Sequence, residues 1–425
     1  MSVADHSGAR FGVHPGSVTV HTVSLAALLS ADGRRDPYPY YAELHRHGQL
    51  CRCEDPENRF DFVVHGFDAA NKVMRDPTFR VMDADYPDRR SSPWRDHPAL
   101  RTLLGSIFFT DGPDHQRVRR LLRQEFTPRR IAALEPAIVR LVDQRLDRMA
   151  ELGAGGRPVD FMAEFALPLP SDVIGELLGV PEQDRAAFPR RVRAFGAILD
   201  LGTAMWRYLP RSNAAAVELT EYFTRLIAAR RAEPRDDLVT ALVRRQDDEE
   251  LRDEELIANL LTMFNAGYVT TTHLIGNALT LLLDRPRLAT ALVAAPERLA
   301  PAIVEETLRY EPPTHFSIRW ATTDADVDGI PIPAGSRILV LFGAANRDPT
   351  RFADPDVFDP TRPDNHSLSF GGGLHYCLGA ALSRLEAQTA LPQLLRRFPT
   401  LTLYDTPGDR THLMLRGYDK LLVTL

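Results

Sequence analysis

The sequence predicts a mainly α protein with small β-sheets, folded around one large domain. Three observations carry this. From 114 to about 300 the pattern is helical almost throughout, broken only near Pro128, at 153–158, at Pro181 and at 234–237. One apolar helical run of some thirty residues starts near Asp253. Strand-type alternation is confined to short runs, such as 59–65 and 336–342. The 425 residues are 44% hydrophobic and 25% charged, which excludes a disordered or collagen-like chain.

In chain order, residues 1–20 are polar, and 1–35 reads as a loose N-terminal segment before a single domain at 36–425. A helix is expected over 36–48, between flanking prolines and Gly48. A strand at 59–65 and a helix at 67–75 follow. Residues 81–101, with Pro87, Pro93 and Pro98, read as a long irregular loop, and loops of that size in a compact protein are usually functional or disordered. The long helix has Asp253 as a plausible N-cap and stops before Pro286. At 1.5 Å per residue it is about 45 Å long, enough to cross the domain. Beyond 310 the chain turns to Pro-rich loops and short strands, then a helix at 377–397 and strand-like ends.

Several classes are excluded early. A net charge of −6 gives no basic field for nucleic acid. No run of about 18 apolar residues is present, so no membrane span is expected, and the N-terminus lacks a signal-peptide core. Cys51, Cys53 and Cys377 are too few and too scattered for a disulfide framework and fit a reducing cytoplasm. Cys51 and Cys53 have no partner cluster for a metal. Of 51 basic residues only Lys72 and Lys420 are lysines, a bias that suggests a GC-rich bacterial genome.

The segment Phe370-Gly-Gly-Gly-Leu-His-Tyr-Cys377-Leu-Gly379 carries the chemistry. Glycines such as Gly371 let the backbone approach a ligand closely. Cys377 stands at the start of an apolar helix, whose N-terminal N–H groups favour a thiolate. A thiolate so held is a good axial ligand for iron and favours O–O cleavage. Alone, Cys377 also reads as a buried inert cysteine after a turn.

The ten residues together match the haem-binding signature of the cytochrome P450 family, and the chain resembles a soluble bacterial member. Glu306 and Arg309 lie three apart on one helical face, and in the family this pair is a buried clamp behind the haem. The stretches 168–182, 345–362 and 416–425 match as well, so the resemblance covers nearly all of 36–425. It implies a cytochrome P450 fold, with haem b (iron protoporphyrin IX) between the long distal helix and the helix after the cysteine loop, and Cys377 as iron ligand. His115, Arg119, Arg319 and His375 carry over as partners of the anionic propionates, and Phe370, Gly371 and Gly379 as cofactor contacts.

On the distal helix Ala266 and Gly267 leave room for O₂ and substrate, and the resemblance makes the Thr270 hydroxyl a helper in proton delivery. The bland alternative is close helix packing and a hydroxyl bonded back to its own helix. The residue before the threonine is commonly acidic in the family, yet here it is Val269. Three readings stay open: Thr270 and water suffice, the substrate brings its own polar group, or the route is less ordinary, such as aromatic coupling or oxidation at nitrogen. Tyr268, His315, Phe316 and Trp94 are expected in the substrate pocket.

The resemblance implies monooxygenation of a small organic substrate, free or tethered to a carrier protein, in natural-product biosynthesis. The electrons come from a ferredoxin and its NAD(P)H-dependent reductase, docking near Arg120, Arg123 and Arg384. The rivals are a non-oxygenating haem protein with a binding or recruitment role and an oxidative aromatic coupling enzyme.

Overall fold

A computed structural model describes residues 20–54, 59–89, 93–199, 205–246, 251–408, 410 and 412–425. Its largest sheet has six strands. They are β1 (Thr22–Ser24), β2 (Leu50–Glu54), β3 (Phe62–Val64), β4 (Phe79–Arg80), and, after the short β5 (Val159–Asp160), β6 (Phe316–Ala321) and, after the β7 (Ala325–Val327) and β8 (Ile330–Ile332) hairpin, β9 (Arg337–Leu341). The strand order is β1-β2-β3-β9-β6-β4. The pairing of β3 with β9 is parallel and that of β6 with β9 antiparallel, with Arg319 opposite Ile338. Two further strands, β10 (Thr402–Leu403) and β11 (Leu422–Thr424), tie the C-terminus to β5.

The helices that position the site are α1 (Phe67–Arg75), α2 (Pro98–Leu104), α3 (Gly112–Arg123), α4 (Glu135–Leu152), α5 (Pro168–Leu178), α6 (Phe188–Gly196), α7 (Met205–Ala232), α8 (Asp253–Leu283), α9 (Pro296–Tyr310) and α10 (Ala380–Arg397). The central one is α8. It is apolar nearly all round, and a helix of that kind has to be buried on every side. It packs against α5, α6, α7, α9 and α10. One core, with Leu274, Leu279, Ile303 and Leu391, lies toward α4, α9 and α10. A second, with Phe188, Phe195, Phe223 and Phe264, lies toward α6 and α7. Each fully buried Leu or Phe stabilises by ~1.5–3 kcal/mol. The N-cap is Arg252, one residue before the expected Asp253. The Glu255 carboxylate at the third helical position accepts the Arg252 N–H at 3.1 Å, which fixes the start there.

Two expectations need correction. Residues 22–35 are not loose: β1 pairs with β2, helices run over Ala26–Leu29 and Ala31–Arg35, and Leu25 and Leu28 are fully buried. The apolar Leu25-Ala-Ala-Leu-Leu29 patch closes over the sheet, and the Ser30 hydroxyl caps the next turn at Gly33 N, 3.0 Å. Residues 81–101 are not one irregular loop either. They hold a helix at Asp85–Arg89, a 3₁₀ turn at Trp94–Asp96 and the start of α2. Pro98 opens α2 at a first-turn position, where its missing N–H costs nothing.

Candidate active site

A cavity lies between α8 and the segment leading into α10. Ala266, Gly267, Thr270 and Thr271 of α8 form one wall, and Phe370, Gly371, Cys377, Leu378 and Gly379 another. The turn that presents Cys377 is built by its glycines. Gly371 and Gly373 have φ of 69° and 62°, a region that side-chain-bearing residues rarely enter. A Cβ on Gly373 would also sit 2.5 Å from the Met74 carbonyl oxygen. The Cys377 N–H donates to the Phe370 carbonyl at 2.9 Å, closing the turn.

Cys377 is exposed only in that it borders this cavity. Burial pushes its thiol up, against the Gly379 N–H and the Arg119 and Arg384 charges, which pull it down. Burial wins. A cation at the sulfur would favour the thiolate.

At one rim stand the expected anion partners. Arg319 on β6 is 4% exposed, donates only to Ser317 Oγ at 2.6 Å and to the Ile318 carbonyl at 2.7 Å, and forms no ion pair among the described residues. Burial lowers its guanidinium to about 10, with Asp111 opposing. Arg119 donates to the Tyr376 carbonyl at 2.6 Å. The His115 and His375 rings meet edge to face with centroids 4.2 Å apart. Burial, then the His375 and Arg119 charges, lowers His115 to about 4. His375 Nε2 lies 3.0 Å from Asp111 Oδ1. Burial also lowers His375, with Asp111 opposing. All four residues line the cavity. A buried arginine with only neutral acceptors, beside a second arginine and two imidazoles, suits a group carrying carboxylates. With a soft sulfur donor in the same cavity, these residues fit haem.

Behind the cysteine loop, Glu306 and Arg309 are both fully buried and form a two-point ion pair at 2.7 and 2.8 Å. Arg309 also donates to the carbonyls of Asn346, Pro355 and Val357.

On α8 the small residues serve two purposes. A Cβ on Gly267 would lie 3.2 Å from Ile174 Cδ1, so its smallness admits α5 as well as leaving space in the cavity. The Thr270 hydroxyl donates to the Ala266 carbonyl at 2.9 Å while lining the cavity. Val269 packs against the core toward α6 and α7.

Four pocket residues are misplaced by the sequence reading. His315 is fully buried, with Nδ1 3.1 Å from the Tyr41 hydroxyl, and Phe316 packs in a cluster with Tyr41 and Leu339. For Phe316 the two-residue period of β6 is the reason: Ser317 and Arg319 face the cavity, so Phe316 and Ile318 face away. Tyr268 is 1% exposed and packed toward α6. Trp94 donates to Asp88 at 2.7 Å beneath the Arg95 guanidinium, away from the cavity lining. Arg384 is engaged as well, bonded to Glu305 and lying over the Phe370 ring.

The sequence reading missed Met74, Val81, Ile107, Phe108, Ile174 and Met263, which give the cavity its apolar lining, and Glu386. The apolar residues carry no distinguishing signal. Glu386 does: an acid four residues after Leu382 and four before Ala390, inside an apolar helix stripe.

A helical fold whose cavity joins a glycine-framed cysteine to buried cations is that of a haem-thiolate enzyme. The cytochrome P450 family model matches residues 15–295 and 298–417, and the chain belongs to that family. It is 39% identical to cytochrome P450 monooxygenase PikC of Streptomyces venezuelae, covering 90% of this chain and 88% of that protein. It is 44% identical to cytochrome P450 107B1 of Saccharopolyspora erythraea, covering 89% and 94%. Among solved structures it is similar to P450BioI in complex with a hexadec-9Z-enoic acid-ligated acyl carrier protein. That match has a TM-score of 0.85 and 33% identity, and covers 93% of this chain and 100% of that one. The protein is a haem-thiolate monooxygenase that draws electrons from a redox partner. No described helix is long and apolar enough to cross a membrane.

Proposed function

We propose that this protein oxidises a mostly apolar natural-product substrate, using haem b, O₂ and two electrons from a ferredoxin served by an NAD(P)H-dependent reductase in the cytoplasm. The observation that carries the reading is the cavity itself: Cys377 on one wall, the Thr270 hydroxyl on another, and at the rim the buried Arg319, which forms no ion pair among the described residues. Cys377 would ligate the haem iron, and Phe370, Gly371 and Gly379 would frame it. His115, Arg119, Arg319 and His375 would hold the haem's carboxylates. Bound haem supplies the activation of O₂ and the oxidation of the substrate. The protein does the rest. Ala266 and Gly267 keep a space free beside α8, and Thr270 orients water and passes a proton by its hydroxyl. Ile107, Phe108, Ile174 and Met263 exclude water and favour an apolar substrate surface. Thr314 and Ser317 offer neutral hydrogen bonds to orient it.

The relatives support natural-product tailoring. They include a 6-deoxyerythronolide B hydroxylase of Saccharopolyspora erythraea and a nocardicin C N-oxygenase of Nocardia uniformis. A second reading, a carrier-tethered substrate, is favoured by the likeness to the acyl carrier protein complex. The test is a titration of the ferric protein with macrolactones, amino-acid-derived lactams and fatty acyl groups, each free and carrier-tethered, followed at the Soret band. A low-to-high-spin shift with one group identifies the class. A protein with no thiolate-type carbon monoxide spectrum would sink the haem-thiolate assignment. An intact spectrum with no product from any bound compound would sink the tailoring role.

A further inference from the structure

A second cleft, of about 710 Å³, lies where the C-terminal ends of α8 and α9 meet the Tyr38 segment and the C-terminal loop. It shares no described lining residue with the catalytic cavity. Arginines and acids both line it, but the two signs are not placed alike. Arg347 and Arg416 are buried and Arg410 is largely so, whereas Glu311 is the one buried acid among the described lining residues. Asp36, Asp284 and Asp356 are exposed.

Glu311 has to serve two guanidiniums. Arg416 Nε donates to it at 2.9 Å, and Arg410 Nη1 lies 2.8 Å from its other oxygen. Neither arginine is bonded to another acid among the described residues. Burial pushes the Glu311 carboxyl up, but Arg410, His315 and Arg416 hold it ionised, well below the usual carboxylate range. One positive charge of the pair is therefore left over. Arg347 is clamped between the Tyr38 and Tyr310 rings, 3.7 and 3.9 Å from their centroids, and its acid is the exposed Asp356 at 2.8 Å. Arg285 donates to the Leu281 carbonyl at 2.9 Å and forms no ion pair among the described residues. Carboxylates in water are screened within ~8 Å at physiological ionic strength, while charge taken out of water needs a partner. The cleft thus presents cations inward that its own acids do not balance.

We infer that this cleft is an effector site for a small phosphate ester, whose anionic head is taken by Arg410 and Arg285. Guanidiniums suit a tetrahedral, multiply charged oxyanion. A bare phosphate would fill only a small part of the volume, which leaves room for an organic body along Tyr310 and Tyr418. Arg410 lies over the Tyr418 ring, 4.9 Å from its centroid, so its position is already set.

The cleft has a short link to the catalytic cavity. Glu311 is followed by Pro312 and Pro313, whose φ angles are fixed. The Arg416 N–H donates to the Pro313 carbonyl at 2.7 Å, and Thr314 pairs with Leu415. Pro313 and Thr314 line the catalytic cavity. An anion that draws on Arg410 changes the load on Glu311 and Arg416, and that pair stands at the root of the segment forming the cavity wall. By linkage, a ligand in either site then alters affinity at the other by the same factor.

The test uses the holoenzyme and two probes, inorganic phosphate and phenyl phosphate, at matched ionic strength in a buffer without other oxyanions. Calorimetry should show one saturable site, with phenyl phosphate bound more tightly than inorganic phosphate. Arg410→Gln should bind phenyl phosphate about tenfold more weakly, and Arg285→Gln should weaken it in the same sense. Arg225→Gln, at an exposed arginine outside the cleft, should bind as wild type does. Titration with 4-phenylimidazole, followed at the Soret band, should show an affinity changed about fivefold by saturating phenyl phosphate in wild type and unchanged by it in Arg410→Gln. The absence of saturable binding overturns the inference, as does wild-type affinity in Arg410→Gln. If that variant does not fold, Arg285→Gln decides. Inorganic phosphate binding as tightly as phenyl phosphate overturns the ester as ligand, and binding that leaves the 4-phenylimidazole affinity unchanged overturns the effector role. The calorimetry does not depend on the iron, so a wild type that binds phenyl phosphate yet lacks the thiolate-type carbon monoxide spectrum overturns the haem-thiolate reading alone.

Discussion

Replacing Glu306 by Gln should cost this protein ~3–5 kcal/mol, because it strands a charge that has no exit to water. The wild-type carboxylate accepts from Arg309 Nη2 at 2.7 Å, from Arg309 Nε at 2.8 Å and from the Asp359 N–H at 2.8 Å. Both side chains are 0% exposed. An amide keeps the shape but turns one acceptor into a donor aimed at a guanidinium. Two charge-assisted bonds at ~1.5–3 kcal/mol each are weakened or lost, which agrees with the range for breaking a buried pair. A whole domain is stable by only ~5–15 kcal/mol. Arg309 also anchors the carbonyls of Asn346, Pro355 and Val357, and Asn346 in turn holds Leu368 N and Ser369, just before the cysteine turn. The loss should therefore reach Cys377 before it melts the helices. Urea titration followed in parallel by far-ultraviolet circular dichroism and by the carbon monoxide spectrum reads both. A Glu306→Gln protein within ~1 kcal/mol of wild type, with its thiolate spectrum intact, would refute the reasoning.

Other outcomes follow from the same geometry. Cys377→Ser should abolish the thiolate-type carbon monoxide band while leaving the far-ultraviolet spectrum unchanged, since the turn is held by backbone bonds and glycines. Arg319→Leu should keep the fold and lower haem retention about tenfold, measured by cofactor transfer to apomyoglobin, because the buried rim loses its fixed positive charge. Acid should destabilise the protein between about pH 6.5 and 4. Burial lowers His65 to about 3 and His315 to about 4, so the folded state holds both neutral while the unfolded chain takes up protons from about pH 6.5 downward. That stability is complete above the unfolded value and is lost as pH falls, on the order of 2 kcal/mol for each group. Urea midpoints for His65→Leu should fall less steeply over this window than those of wild type. Val269→Asp should raise product per reductant if proton supply from the α8 wall limits turnover, and unchanged or lower coupling would show that it does not.

What the sequence made legible here is what repeats or what is chemically rare. The α8 run was visible because a helix buried on all sides has to be apolar on all sides, and its observed ends differ from the reading by one residue. The cysteine turn was visible because two left-handed backbone positions and a carbonyl against Gly373 leave glycine as the only easy choice. Residues chosen by proximity in sequence fared worse. Phe316 stands beside Ser317, but a strand sends neighbours to opposite faces, and only the sheet pairing of β6 with β9 says which face meets the cavity; His315 lies just before the strand and is turned to Tyr41. Trp94 and Tyr268 failed for a related reason: an aromatic near a pocket is drawn to whatever partner completes it, here Asp88 and the core toward α6. The N-terminal segment was read from its polar first residues, and Leu25 and Leu28, which close over the sheet, were averaged away.

Glu386 lies between these cases, and it shows where a closer reading of sequence gains most. Its signal was an acid on the apolar stripe of an amphipathic helix, nine residues beyond the cysteine that had already drawn attention to that helix. Periodicity assigns such a position to the core, chemistry forbids a charge there, and the conflict leaves three outcomes: a salt bridge, a hydrogen-bonded neutral acid or a functional group. Choosing among them takes the third dimension. No cation bonds to Glu386 among the described residues, one of its oxygens has no partner, and the space beside it belongs to the cavity. The neighbouring helix presents valine at the position where an acid is expected, and Val269 packs toward the α6 and α7 core, so Glu386 is the acid that borders the cavity.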